Sequence, residues 1–162
     1  MVEIIPYQDQ KEILVQLIEE LQDYLIELDP LKRLRRLPEY GEVYVFNLLK
    51  KIDKQEWIIY LAKVDGLVVG MIAGVFDEWE TIDKLECIPS KPARILELIV
   101  NEAYRWQNIG ALLMNKIEEY FQNNGSDIVR VEVFEPNQST HKFYQKMGYH
   151  DRAIDMVKKI SQ

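Results

Sequence analysis

Leucine and isoleucine recur at helical spacing in the first thirty residues. Leu14, Leu17, Ile18, Leu21, Leu25 and Leu28 make one apolar stripe on an otherwise polar segment. Ile4 and Ile5 before it read as a short first strand. Asp9 is expected to open the helix, with Glu12 three residues on as its capping-box partner, and Asp29-Pro30 to stop it. Pro38 predicts the start of a second helix running to about Lys51. The pattern then changes. Trp57–Val64 and Leu67–Phe76 are dense in residues that suit a pleated, half-buried surface. Asp65-Gly66 between them is a hairpin signal, because a two-residue type I′ turn needs positive φ at both positions. Asp77–Pro92 is acidic, contains Pro89 and Pro92, and reads as a loop. Ile95–Val100 predicts a further strand.

In the last third, Leu113, Ile117, Tyr120 and Phe121 share one face of a helix predicted from Gly110 to Asn123, with Asn124-Gly125 ending it. Ile128–Phe134 reads as a strand broken by Glu135-Pro136-Asn137. Asn137 or Ser139 caps a short helix that ends at Met147, with Gly148 just beyond. Tyr149–Arg152 and Ile154–Ile160 read as a closing extended pair. Strands and helices in this order predict a mixed α/β chain built on one sheet.

A length of 162 residues suits a single domain, residues 1–162, large enough to bury a core without metals or disulfides. The net charge of −7 argues against nucleic acid as a partner. One cysteine, Cys87, allows no intrachain disulfide and fits a reducing, cytoplasmic setting. The N-terminal residues lack the pattern of a signal peptide, and no apolar run approaches the length of a membrane span. His141 and His150 are the only histidines, and with Cys87 they show no metal-ligand spacing. No metal is expected.

Two blocks carry candidate chemistry. From Val100 to Leu113 a strand runs through a loop containing Arg105 into a helix start at Gly110-Ala111. Such an arrangement is either an ordinary strand-to-helix connection or an anion site, since a helix N-terminus presents unpaired N–H groups and a positive dipole end. The second block runs from Glu132 through Asn137 and Phe143-Tyr144 to Gly148-Tyr149. Taken alone, Tyr144 reads as a packed aromatic and Glu132 as a residue on a solvated sheet face.

As a pair, the blocks resemble the GNAT superfamily of N-acetyltransferases. Its pyrophosphate signature is Arg or Gln, two residues, Gly, one residue, then Gly or Ala; this chain has Arg105-Trp106-Gln107-Asn108-Ile109-Gly110. The later block is similar to the family's strand, asparagine, helix, Phe-Tyr and Gly-aromatic pattern. The motif resemblance covers roughly Leu96 to Lys158. One departure stands out: Asn108 occupies the place of the first glycine, and asparagine tolerates left-handed backbone better than most residues.

The resemblance implies a single GNAT-like domain with a central, splayed, mostly antiparallel sheet flanked by helices. It implies acetyl-CoA as cosubstrate, with the pyrophosphate on backbone N–H groups of Gln107, Asn108, Ile109, Gly110 and Ala111, and Arg105 assisting. Backbone at Ile99 and Val100 would hold the pantetheine arm and polarise the thioester. Asn137 would touch the cofactor arm or cap the next helix. The acceptor is a small-molecule or peptide amine, which arrives protonated and needs a base; Glu132 is the candidate. Tyr144 matches the general acid that protonates the departing thiolate. Ordinary values near 10 for the phenol and 8.5 for the thiol allow that transfer. The basic segment Lys32–Arg36 reads as a solvated turn or as the border of a site for an anionic acceptor. The acidic Asp77–Glu86 segment points the other way, to a polycation. Two other readings accompany the enzyme: an acyl-CoA sensor without turnover, and an interaction protein that forms a homodimer by its sheet edge.

Overall fold

The computed structural model describes residues 1–52 and 57–160. It forms two compact units, one from Met1 to Glu132 and a second starting at Val133. The first contains β1 (Val2–Pro6), α1 (Lys11–Leu28), α2 (Tyr40–Ile52), β2 (Trp57–Val64), β3 (Leu67–Phe76), α3 (Thr81–Glu86), β4 (Pro92–Val100), a 3₁₀ turn (Glu102–Tyr104), α4 (Ile109–Asn123) and β5 (Ile128–Val131). The second contains α5 (Gln138–Lys146).

The sheet follows chain order, β1-β2-β3-β4-β5. The first three pairings are antiparallel, and β4 with β5 is parallel. The β2–β3 hairpin turns at Asp65 (φ 49°) and Gly66 (φ 85°), the paired positive values that the Asp-Gly signal predicts. Helices cover both faces. Leu14, Leu17 and Ile18 of α1 and Val45 and Leu48 of α2 pack with Ile59, Leu61, Met71, Ala73 and Ile99 on one face. On the other, α4 buries Leu113, Met114, Ile117 and Phe121 against β2, β3 and β4. Gly74 sits under that helix. A Cβ there would lie 2.7 Å from Phe121 Cζ, 2.8 Å from Ile117 Cδ1 and 2.9 Å from the Arg94 carbonyl oxygen. Glycine is thus required by close packing of the helix on the strand.

Several local expectations are corrected. Helix α1 begins at Lys11 with Gln10 as N-cap, and no Asp9–Glu12 capping box forms. The Gln10 carboxamide oxygen instead accepts from the Gln8 and Asp9 N–H groups, which turns the chain one residue later. The acidic stretch contains a short helix, α3, because the Glu80 N–H donates to Asp83 Oδ2 at 2.8 Å and fixes its first turn. Strand β4 starts earlier than predicted, with Pro92 at its first position, where proline removes no interior ladder bond. Strand β5 stops at Val131, so Val133 and Phe134 lie outside it. Tyr149–Arg152 and Ile154–Ile160 form no strand. Their apolar side chains, Ile154, Met156, Val157 and Ile160, stay exposed, and alternation alone makes no ladder without a paired edge.

Replacing Gly74 by alanine is expected to lower stability by about 1–3 kcal/mol through overpacking against Phe121 and the Arg94 carbonyl. The midpoint of urea unfolding followed by circular dichroism checks this; an unchanged midpoint contradicts it.

Candidate functional site

The site begins with a defect in the sheet. Ala73 pairs with Glu97 and Gly74 with Ile95, so Leu96 has no partner on β3 and forms a bulge. Directly paired residues share a face. Gly74, and with it Ile95, faces α4, whereas Ala73 and Met71 belong to the core under α1 and α2. Leu96 and Glu97 therefore both project toward α1 and α2, and the faces alternate again through Leu98, Ile99 and Val100. In a regular strand that kept Leu96 paired, Glu97 would share the α4 face with Ile95. The parallel ladder with β5 ends at this same point, where Ile95 pairs with Val131. From Glu97 to Val100, β4 is laddered to β3 alone. This is the divergence implied by the splayed-sheet expectation.

Beyond Val100 the chain is tied down at once. Asn101 N–H donates to the Val69 carbonyl at 2.8 Å, and its side-chain oxygen accepts from Ala103 N–H at 3.1 Å. Arg105 turns back so that Nε donates to the Val100 carbonyl at 3.3 Å, and its guanidinium lies 5.2 Å from the centre of the Tyr24 ring. Trp106 (φ 68°) and Asn108 (φ 62°) then take left-handed conformations on either side of Gln107. Helix α4 starts immediately after Asn108, and its first internal bond is Leu112 N–H to the Asn108 carbonyl. The N–H groups from Trp106 to Ala111 donate to no acceptor among the described residues. Left-handed turns in such a loop gather donors into an anion-binding concavity, and the helix dipole adds to it. Gln107, Asn108, Ile109, Gly110 and Ala111 thus contribute backbone to one loop that follows directly from Ile99 and Val100.

In the second unit, Asn137 caps α5. Its side-chain oxygen accepts from Thr140 N–H at 3.4 Å and from Ser139 Oγ at 3.1 Å. Capping is one of the two roles expected of it. Tyr144 is buried, with the rings of Phe143 at 5.3 Å and Tyr149 at 5.6 Å. Gly148 (φ 93°) provides the left-handed turn after the helix. Glu132, at the end of the first unit, is largely exposed and lies 3.5 Å from Arg94 Nη1. Arg94 also binds Asp77 at 3.1 Å, and Arg130 approaches Asp77 at 3.8 Å. Part of the acidic segment is therefore neutralised by the sheet's own arginines.

A pairing invisible to the motif search lies on the opposite side of β4. The Tyr44 hydroxyl donates to Glu97 Oε1. Burial raises the Glu97 carboxyl above the ordinary carboxylate range, against the smaller opposing effect of the Tyr44 hydrogen bond. Burial and the nearby carboxylate also hold the proton on Tyr44. Tyr44 further lines a cavity of about 400 Å³ with Tyr40, Arg35, Leu37, Val43 and Asn47. The turn leading to it is anchored by Asp29, whose buried carboxylate accepts from the N–H groups of Leu31 (2.9 Å), Arg33 (2.5 Å) and Leu34 (2.8 Å). Those backbone donors hold the Asp29 carboxyl below its ordinary range. Within the basic segment, Arg36 forks onto Asp23 of α1 at 2.7 and 2.8 Å, and Arg35 borders the cavity.

Residues 14–149 match the family model described as "Acetyltransferase (GNAT) family". The chain belongs to the GNAT family. An uncharacterized N-acetyltransferase of Methanocaldococcus jannaschii is 30% identical over 122 residues, 72% of this chain and 51% of that protein. The chain spans about half the length of this relative and of a second one from the same organism. An N-alpha-acetyltransferase of Sulfurisphaera tokodaii is 29% identical over 135 residues, covering 80% of this chain and 78% of that one. Among solved structures, a mutant form of the BH1408 protein of Bacillus halodurans superposes with a TM-score of 0.85 at 14% identity, covering 98% and 99% of the two chains. A GCN5-related N-acetyltransferase from Ralstonia eutropha gives 0.74 at 21% identity, with 99% of each chain covered. These last two establish the shared fold.

In this GNAT chain, Asn108 adopts the left-handed conformation for which a glycine is the usual choice. Glu97 and Tyr44 escaped the sequence reading because a bulge, rather than a motif, brings them together. The only signal was a lone glutamate in the apolar run Ile95–Val100.

Asn108→Gly is expected to stay within about 0.5 kcal/mol of the parent, and Asn108→Val to lose about 1–2 kcal/mol, since a β-branched residue is strained at positive φ. Thermal unfolding of both variants checks this. For Glu97 the folded carboxyl holds its proton to higher pH than the unfolded one. Stability from that bound proton is fully present below the unfolded value and is lost as pH rises through the folded value. Glu97→Gln should therefore gain stability relative to the parent between pH 4 and pH 7.5. A gap that is the same at both pH values refutes the assignment.

Proposed function

We propose that this chain transfers an acetyl group from acetyl-CoA to a primary amine. The observation that carries the reading is the run of backbone N–H groups from Trp106 to Ala111 at the start of α4, directly after β4. Those donors, two left-handed residues and the helix dipole fit a pyrophosphate, whose oxygens accept charge-assisted bonds. Bound there, acetyl-CoA supplies an activated acetyl thioester. The backbone of Ile99 and Val100, on the part of β4 beyond the ladder with β5, is suited to the pantetheine arm, and Arg105 to added positive potential.

Tyr144 is proposed as the acid for the thiolate. A base is needed on the amine side, and Glu132 is the candidate the sequence nominates. The Sulfurisphaera tokodaii relative is named an N-alpha-acetyltransferase, which makes peptide N-termini the first acceptors to try. Polyamines and amino sugars follow in the same screen. In this proposal residues 1–162 act as one catalytic domain.

Isothermal titration with acetyl-CoA tests the reading. The parent chain is expected to bind, and Gly110→Glu, which puts a carboxylate among the phosphate donors, to lose binding at least tenfold. Tyr144→Phe should keep the affinity and lower kcat by about 10²-fold or more. Absence of binding by the parent chain overturns the proposal.

A further inference from the structure

We propose that Tyr44 and Glu97 form a relay that removes the proton from the acceptor amine, with the cavity beside α2 as the place where that amine enters. The inference rests on the acyl-transfer reading, puts Glu97 in place of Glu132 as the base, and adds the entry side and the proton path. Three observations carry it. The bulge at Leu96 turns Glu97 onto the α1/α2 side of the sheet, the same side as Ile99. Two residues of strand separate them, about 7 Å. Tyr44, whose hydroxyl donates to Glu97, is also one of the residues lining the cavity. Tyr40 stands beside it, ring centres 5.8 Å apart, with its hydroxyl on Gln22 Oε1 at 3.3 Å.

Aromatic faces backed by a carboxylate attract a cation, so the cavity suits an alkylammonium group. The ionisable groups acting on Glu97 are Tyr44 and Tyr40, both from α2; its partner across the sheet on β3 is Ala73, and Arg35 and Glu39 stand at the rim of the cavity. Burial keeps the phenol of Tyr44 protonated and strengthens Glu97 as a base.

The step balances as follows. An ammonium proton passes to the Tyr44 oxygen while the Tyr44 proton passes to Glu97 Oε1. The freed lone pair attacks the acetyl carbonyl carbon and a C–N bond forms. The C–S bond breaks, and sulfur keeps the electron pair and takes the Tyr144 proton. The second nitrogen proton is released and replaces the one given by Tyr144; Glu97 returns its proton to solvent.

The test compares two amines with acetyl-CoA at pH 7.5: ethylamine, protonated there, and trifluoroethylamine, largely neutral. Glu97→Gln and Tyr44→Phe are each expected to slow ethylamine about 100-fold or more and trifluoroethylamine less than tenfold. The acid limb of the parent's pH profile should vanish in both variants. Equal losses on the two amines, no loss, or a loss of this kind in Glu132→Gln instead would overturn the relay. Thermal unfolding and acetyl-CoA titration of each variant separate misfolding and failed donor binding from a failed relay. Failure of the parent to bind acetyl-CoA sinks the acyl-transfer reading; intact binding with unchanged ethylamine rates in both variants sinks only the relay. If the parent accepts neither amine, carboxyl ¹³C titration of Glu97 decides. An inflection above the ordinary glutamate range that shifts in Tyr44→Phe supports the pairing, and an ordinary inflection overturns it.

Discussion

The structure depends on one extra residue in β4. A sheet alternates its side chains with a period of two, and a bulge that takes up one unpaired residue shifts that alternation for everything beyond it. Leu96 is that residue. Before it, Ile95 lies under α4; after it, Glu97 and Ile99 lie under α1 and α2. The same point marks the end of the parallel ladder to β5. Bulges bend the strand that carries them, and a bent strand parts from a straight neighbour. One local irregularity thus frees backbone groups at the end of β4 and redirects a carboxylate toward a tyrosine.

The neighbouring loop uses a second economy of geometry. Short-range ties at Asn101 and Arg105 fix the exit from β4, and left-handed turns at Trp106 and Asn108 aim successive N–H groups outward. The donors this loop offers are therefore main-chain groups. Its side chains matter through the conformations they permit, which explains how asparagine can stand where a glycine is usual.

How much of this could be read from the sequence follows from the range of the interactions. The hairpin at Asp65-Gly66, the stop at Asn124-Gly125 and the apolar stripe of α1 depend on residues a few positions apart, and all were legible. The path from Arg105 through a loop into a helix near Gly110 was legible too, because it depends on consecutive residues. The start of α1 was misplaced because the Gln10 side chain takes the Asp9 N–H that a capping box would give to Glu12. Glu80-to-Asp83 gave α3 a local start that an acidic, proline-containing stretch concealed. The Tyr44–Glu97 pair spans 53 positions and depends on the register of β3 against β4. Registers arise from the sum of many weak pairings, and no window along the chain displays them. The exposed segment after Tyr149 shows the opposite error, in which an alternating pattern meets no edge to pair with.

The turn between α1 and α2 has a consequence for how such a protein can change over evolutionary time. Asp29 holds it through the main-chain N–H groups of Leu31, Arg33 and Leu34, which every residue except proline possesses. The side chains at 31, 33 and 34 are thereby relieved of any duty in shaping the turn. Arg35, at the rim of the cavity, contributes its carbonyl to Gln22, again a main-chain group. A lineage can exchange these side chains one by one, and so sample new partners for the cavity, while a single carboxylate keeps the path of the chain unchanged.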